Sequence, residues 1–159
     1  MVKTAQELGY TEPDPRDDLK GTDFMRKMLI LARDAGYSLE PEAVQLGAIL
    51  PDACINAASV DDFYDALKAA DAHFDELKKK AQEENKVLRY IGKLEDGAVN
   101  IDLEMVDGSH PFFALSGSDN IISFTTERYK ERPLVVKGPG AGAEVTAAGV
   151  FADLVNVGA

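Results

Sequence analysis

Four carboxylates, Glu12, Asp14, Asp17 and Asp18, lie within seven residues near the start of the chain, and Asp23 follows just beyond. Acidic groups gathered on one loop repel one another and call for a cation: a substrate ammonium, a metal or a neighbouring arginine. Arg16, between Asp14 and Asp17, meets part of that need locally. The spacing is not that of a calcium loop, which alternates its ligands around a glycine. Asp23 and Lys27 stand four residues apart, an orientation that on a helix gives a surface pair worth ~0.3–0.5 kcal/mol. Beside an acidic loop the same pair could hold a lysine for proton transfer. The plain alternatives are a solvated loop with a helix cap, and an ordinary surface ion pair. A third segment, Gly138-Pro139-Gly140-Ala141-Gly142-Ala143, follows a strand pattern and precedes a helical one. Gly138, Gly140 and Ala143 fit G-x-G-x-x-G/A, yet a true dinucleotide fingerprint needs a further strand and an acidic residue about 20 positions on. The sequence given stops at Ala159, so the expectation is an incomplete unit whose amides approach a cofactor or phosphate held elsewhere. No Ser-His-Asp or Cys-His arrangement is visible, and His73 and His110 read as structural or exposed.

Composition narrows the classes. The 159 residues carry 28 acidic and 17 basic side chains, a formal charge of −11. Nucleic-acid affinity comes from Lys and Arg neutralising phosphates, and anionic membranes select the same sign, so both partners are disfavoured. A hydrophobic share of 45 % with 28 % charged residues is that of one folded domain with a real core. Cys54 is the single cysteine, which excludes an intrachain disulfide and a cysteine-based zinc site. No signal-like apolar stretch opens the sequence and no run is long enough to span a bilayer, so a cytoplasmic protein is expected.

The elements that must position these residues follow from periodicity. A helix end at Thr4-Ala5-Gln6-Glu7 stops at Gly9 and leads into a polar, proline-bearing turn over 11–18. After Gly21, Phe24, Met28, Leu31 and Ala32 recur at helical spacing, with Thr22 or Asp23 as the cap and Gly36 as the stop. A short extended piece is expected at about 43–50. Ser59 then opens one long helix to about Asn85, striped by Phe63, Leu67, Ala70, Phe74 and Leu77. Extended runs at 87–91 and 100–106 flank Glu95-Asp96-Gly97, a hairpin signal. Further strands are expected at 112–115, 120–126 and 134–136, then a helix over 144–155. The class is α+β: a mainly antiparallel sheet with helices packed on one face, plus a C-terminal helix.

The segment from Gly9 through Tyr10-Thr11-Glu12-Pro13-Asp14-Pro15-Arg16-Asp17-Asp18-Leu19, with Gly21, Asp23 and Lys27, strongly resembles the signature region of homoserine dehydrogenases. Gly138 to Gly142, Thr146-Ala147-Ala148-Gly149-Val150 and Asp153 resemble that family's C-terminal segment. Leu88-Arg89-Tyr90 and Ser118-Asp119-Asn120 fit as well. The pattern is most similar to the dehydrogenase portion of bifunctional aspartokinase–homoserine dehydrogenases.

The resemblance implies an oxidoreductase interconverting L-aspartate 4-semialdehyde and L-homoserine with NADP or NAD, in the threonine and methionine branch of amino-acid biosynthesis. It implies Lys27 as the acid–base residue, positioned by Asp23. Glu12 and Asp18 would bind the amino end of the substrate, with Tyr10 nearby, and Gly142 would touch the cofactor. A homodimer is implied; no metal is expected, because one cysteine and two histidines are too few for a metal cluster. Family members begin with a nucleotide-binding domain, on which the C-terminal helix packs. Residues 1–159 are therefore expected to be the substrate-binding and dimerisation part of a longer polypeptide, with the nucleotide-binding domain absent and no activity alone. The rival reading is a non-enzymatic α+β interaction domain with a solvated acidic loop.

Overall fold

The computed structural model describes residues 2–7, 11–117, 119–140 and 142–158. They form two compact units, Met1–Met105 and Val106–Ala159.

In the first unit, α1 (Val2–Glu7) precedes α2 (Pro15–Leu19) and α3 (Thr22–Asp34). The proline-bearing stretch is thus partly helical. Asp14 caps α2 by accepting from the Arg16 N–H at 2.9 Å, and Pro15 takes the first position, where its missing N–H costs nothing. Gly21, at φ 74°, caps α3 in place of Thr22 or Asp23. At the other end Gly36 (φ 94°) sends Tyr37 N–H back to Ala32 O at 3.0 Å and its own N–H to Arg33 O, a Schellman stop.

The expected extended piece at 43–50 shrinks to β1 (Gln45–Leu46), which pairs parallel with β3 (Ala98–Val106). A 3₁₀ turn (Pro41–Ala43) takes up its start, and α4 (Asp52–Ile55) follows Pro51. The long helix is two: α5 (Val60–Ala69) and α6 (Asp71–Glu83), with Ala70 (φ −86°, ψ −1°) ending the first and opening the second. The Ala70 N–H splits between Ala66 O and Leu67 O, so the ladder is interrupted although the apolar stripe continues. Ser59 caps α5 as expected, accepting from Asp62 N–H at 3.1 Å.

β2 (Val87–Glu95) and β3 are neighbours joined by Asp96-Gly97, both at positive φ (49° and 81°). That is the backbone a two-residue hairpin requires. The sheet order is β1-β3-β2. One apolar cluster joins Met28 and Ala32 of α3 to Val99 and Ile101 of β3, with Phe24 and Tyr90 packed on it. A second gathers Leu50, Cys54 and Phe63, with Val2, Leu19 and Tyr64 around them.

The second unit holds β4 (Asp119–Phe124) paired antiparallel with β5 (Leu134–Pro139), and α7 (Ala143–Val157). The strand expected at 112–115 is a series of turns. His110 N–H reaches Asp107 O, Phe113 N–H reaches His110 O, and His110 Nδ1 accepts from Phe112 N–H at 3.1 Å.

Candidate active site

The acidic loop is tied at several points before any ligand is considered. Asp14 receives Arg16 as a fork, with Nε at 2.9 and 3.0 Å and Nη2 at 2.5 Å. Arg16 Nη1 donates to Ala57 O, forty-one residues away, at 2.5 Å. The arginine fork holds the Asp14 carboxyl down at about 2, well below its ordinary 3.8. Upstream, Gln6 Nε2 donates to Pro13 O at 3.0 Å and is itself fixed by Tyr64 Oη on its Oε1 at 2.7 Å. Asp17 faces Lys20 at 3.8 Å. Asp14 and Asp17 are therefore supplied with cations from within the loop.

Glu12 and Asp18 are not. Asp18 Oδ2 accepts the Glu12 backbone N–H at 2.9 Å, which closes the loop and places the two residues side by side. Among the described residues neither carboxylate has an ion-pair partner, and both residues are exposed. This is the arrangement an incoming ammonium group would complete.

The helix after the Gly21 joint carries the other pair. Lys27 Nζ stands 2.8 Å from Asp23 Oδ2, with 55 % and 65 % of the two side chains exposed. Both pairs thus lie on one continuous segment, the α2–α3 elbow, with Glu12 and Asp18 before Gly21 and Asp23 and Lys27 after it. Lys27 makes its ion pair with Asp23 and none with Glu12 or Asp18. Tyr10 lies outside the described residues.

Gly142 belongs to the second unit and caps α7 at φ 131°, a backbone shape that favours glycine. A side chain added at Gly138 or Gly142 would meet nothing within 4 Å among the described residues, although Gly138 itself is paired with Asn120 in the β4–β5 ladder. Glu144 in the first turn of α7 disfavours a phosphate there. Among the described residues no strand follows α7, so the βαβ unit that holds a dinucleotide is not among these elements.

Sequence reasoning missed the anchors Gln6, Tyr64 and the Ala57 carbonyl. Arg16 between two aspartates, Asp23 four residues before Lys27 and Gly21 beside a helix start did carry a signal. An apolar cleft of about 520 Å³ in the same unit is bounded by Ala48, Leu50, Cys54, Ala66, Ala70 and His73, and takes in none of the expected site residues.

With that geometry in view, comparison with known proteins is decisive. A family model described as homoserine dehydrogenase matches residues 1–155. The chain belongs to the homoserine dehydrogenase family. It is 48 % identical to the maize bifunctional aspartokinase/homoserine dehydrogenase 2, chloroplastic, over 99 % of this chain and 17 % of that protein. It is 46 % identical to the homoserine dehydrogenase of Saccharomyces cerevisiae, over 99 % of this chain and 44 % of the yeast protein. A crystal structure of a Candida auris protein of unknown function superposes with a TM-score of 0.90 at 45 % identity, covering 98 % of this chain and 44 % of that one. The chain therefore spans less than half the length of each of these relatives. The α+β class and the C-terminal helix agree with family membership. No described helix is long and apolar enough to cross a membrane.

Proposed function

We propose that this chain supplies the substrate-binding and proton-transfer part of a homoserine dehydrogenase, which interconverts L-aspartate 4-semialdehyde and L-homoserine with NADP or NAD. The observation that carries this reading is the elbow itself. Two carboxylates without cations and a carboxylate–lysine pair sit on either side of one glycine, in a chain that matches the family along nearly its whole length.

Glu12 and the free oxygen of Asp18 take the substrate ammonium, and the likeness to the family adds Tyr10 to this binding group. Asp18 cannot swing away without releasing the Glu12 N–H, so the binding loop is preorganised. A bound nicotinamide would supply the hydride chemistry at C4 of the substrate, as acceptor in the direction of the aldehyde and as donor in the direction of homoserine. In its neutral amine form Lys27 accepts the proton of the C4 hydroxyl in the first direction, and the ammonium so formed gives a proton to the carbonyl oxygen in the second. Asp23 Oδ2 fixes the amine and so the point at which the proton is delivered. Gly142, with no side chain in the way, would let the cofactor approach the backbone.

The Asp23–Lys27 pair is open to water here, whereas hydride transfer needs reacting atoms held about 3–3.5 Å apart in a closed site. That closure, like the dinucleotide-binding unit, would come from a nucleotide domain outside this chain, so the 159 residues alone are inactive in this reading. The two-stranded β4–β5 ribbon is too small to be stable unsupported, and Leu134, Val135 and Val136 are exposed on it. A second copy of the chain, pairing through the sheets, is the expected cover. Sedimentation at high concentration would give a dimer, and a strict monomer would remove that part. The protein is expected in the cytoplasm, a point that cell fractionation decides.

The test is kinetic, on the full polypeptide that carries this chain. Lys27→Ala should lower kcat by roughly 10²–10⁴-fold, the usual range for a positioned acid–base group, with the nicotinamide KM unchanged. Turnover within a few-fold of the parent would refute the assigned chemistry.

A further inference from the structure

Three close approaches seat α3 on the β2–β3 hairpin. Beyond its C-terminal end the Tyr37 ring lies over Gly97, where an added Cβ would come to 3.0 Å. Midway, Met28 covers Gly92, where a Cβ would come within 2.7 Å of the sulfur. At the N-terminal end the ring and hydroxyl of Tyr90, from β2, fill the space that any side chain at Gly21 would need.

The third contact differs from the others in what it touches. Gly21 is the elbow. Its N–H reaches Asp18 O at 3.3 Å and its carbonyl accepts the Met25 N–H at 2.9 Å, so one residue ends the arm bearing Asp18 and starts the helix bearing Asp23 and Lys27. At φ 74° it occupies a conformation that glycine adopts freely. Such a joint is soft unless something leans on it.

Tyr90 supplies that support from three sides. Its ring lies against Gly21, it packs at 5.5 Å and 50° on Phe24 in the first turn of α3, and its hydroxyl donates to Gly47 O at 3.1 Å. Gly47 follows β1, which lies on the far side of β3 from β2, and its own N–H is bound to Ile101 O at 2.7 Å. Tyr90 therefore spans the sheet and transmits its rigidity to the elbow. Burial, with the Asp102 charge adding to it, raises the phenol, which stays a donor at neutral pH.

We infer that Tyr90 is a positioning residue that sets the angle between the ammonium-binding arm (Glu12, Asp18) and the proton-transfer helix (Asp23, Lys27). This rests on the proposed function, since it assigns those two arms to the two ends of one substrate. If the arms grip the amino end and the C4 oxygen of the same molecule, a change of elbow angle misplaces one end whenever the other is bound. A displacement of about 1 Å in such a site costs on the order of a hundredfold in rate.

The experiment uses the full polypeptide, with activity normalised to folded enzyme and all variants assayed well below their melting temperatures. Tyr90→Ala and the bulkier Tyr90→Leu should lower kcat at least about tenfold and raise the KM for homoserine, while leaving the nicotinamide KM unchanged. Tyr90→Phe keeps the ring on Gly21 and Phe24 and loses the hydroxyl, both its contact at Gly21 and its Gly47 bond, so it should stay within about threefold of the parent. A residue that merely fills the core would change the amount of folded enzyme and neither the kcat nor the homoserine KM of what remains. Tyr90→Leu with parental constants per folded molecule overturns the inference even if Tyr90→Ala does not fold. Lys27→Ala assayed alongside keeps the two claims apart. If it is inactive while the Tyr90 variants match the parent, the inference fails and the proposed function stands; if it stays active, the proposed function itself fails.

Discussion

Among the described residues the first unit buries ten hydrophobic side chains, Phe63 and Ala32 at 0 % exposure among them, whereas the second buries one, Val106 at its very start. The contrast lies in pattern rather than in amount of apolar residue. α3 places Met28, Leu29 and Ala32 on one face and turns Asp23 and Lys27 outward, so it finds its partner in the hairpin of its own unit. α7 carries Val145, Val150, Phe151, Leu154, Val155 and Val157, all exposed, with few polar positions between them. A helix apolar on nearly every side belongs in an interior. The first unit is thus built to hold a site by its own packing. The second reads as a surface to be covered, in the proposed function by the nucleotide domain and a second copy.

The comparison can be broken by substitution. Phe63→Ala in the 159-residue chain should cost about 3–5 kcal/mol, the usual loss for emptying a filled aromatic site, read from denaturant unfolding. A cost below 1 kcal/mol would mean that the first unit is not tightly packed. The acid limb of the same unfolding curve sharpens the account of the loop. Asp14, held at about 2 in the folded chain against an ordinary 3.8, contributes stability that is present above pH ~4 and lost as pH falls towards 2. Asp14→Asn should lower stability near neutrality and flatten that part of the profile; an unchanged profile would show the Arg16 fork to be inconsequential. The smallest effect is expected in the second unit. Leu154→Ser, at a position 67 % exposed, should stay within about 0.5 kcal/mol of the parent. A loss as large as that of Phe63→Ala would erase the distinction between the units.

What the sequence disclosed follows the range of the forces involved. The Asp96-Gly97 hairpin was legible because two positive φ angles in a row admit few residue types. The Asp23–Lys27 pair was legible because four residues make about one helical turn. The break at Ala70 was hidden, since Phe63, Leu67, Phe74 and Leu77 keep helical spacing across it. Phe112-Phe113-Ala114-Leu115 read as a strand by hydrophobicity, but local bonds from Asp107 and His110 fold it into turns. The helical start at Asp14-Pro15 had its signal, an N-cap followed by proline, and was outweighed by the density of polar residues. The anchors of the site were beyond reach. Arg16 meets Ala57 and Tyr90 meets Gly21 only after the chain has folded back over tens of residues, and no local pattern encodes such a meeting. The likeness to homoserine dehydrogenases drew attention to the elbow; the fold explains how the elbow is held.

The most direct test of the central claim, that this chain holds the substrate and the proton but not the nicotinamide, is a homoserine oxidation assay followed by nicotinamide absorbance. It is run on the purified 159 residues and on the full polypeptide, each with Lys27 and with Lys27→Ala. The account predicts no turnover from the 159 residues, and turnover from the full polypeptide that Lys27→Ala abolishes. Turnover by the 159 residues that survives Lys27→Ala would contradict both the division of labour and the role given to Lys27.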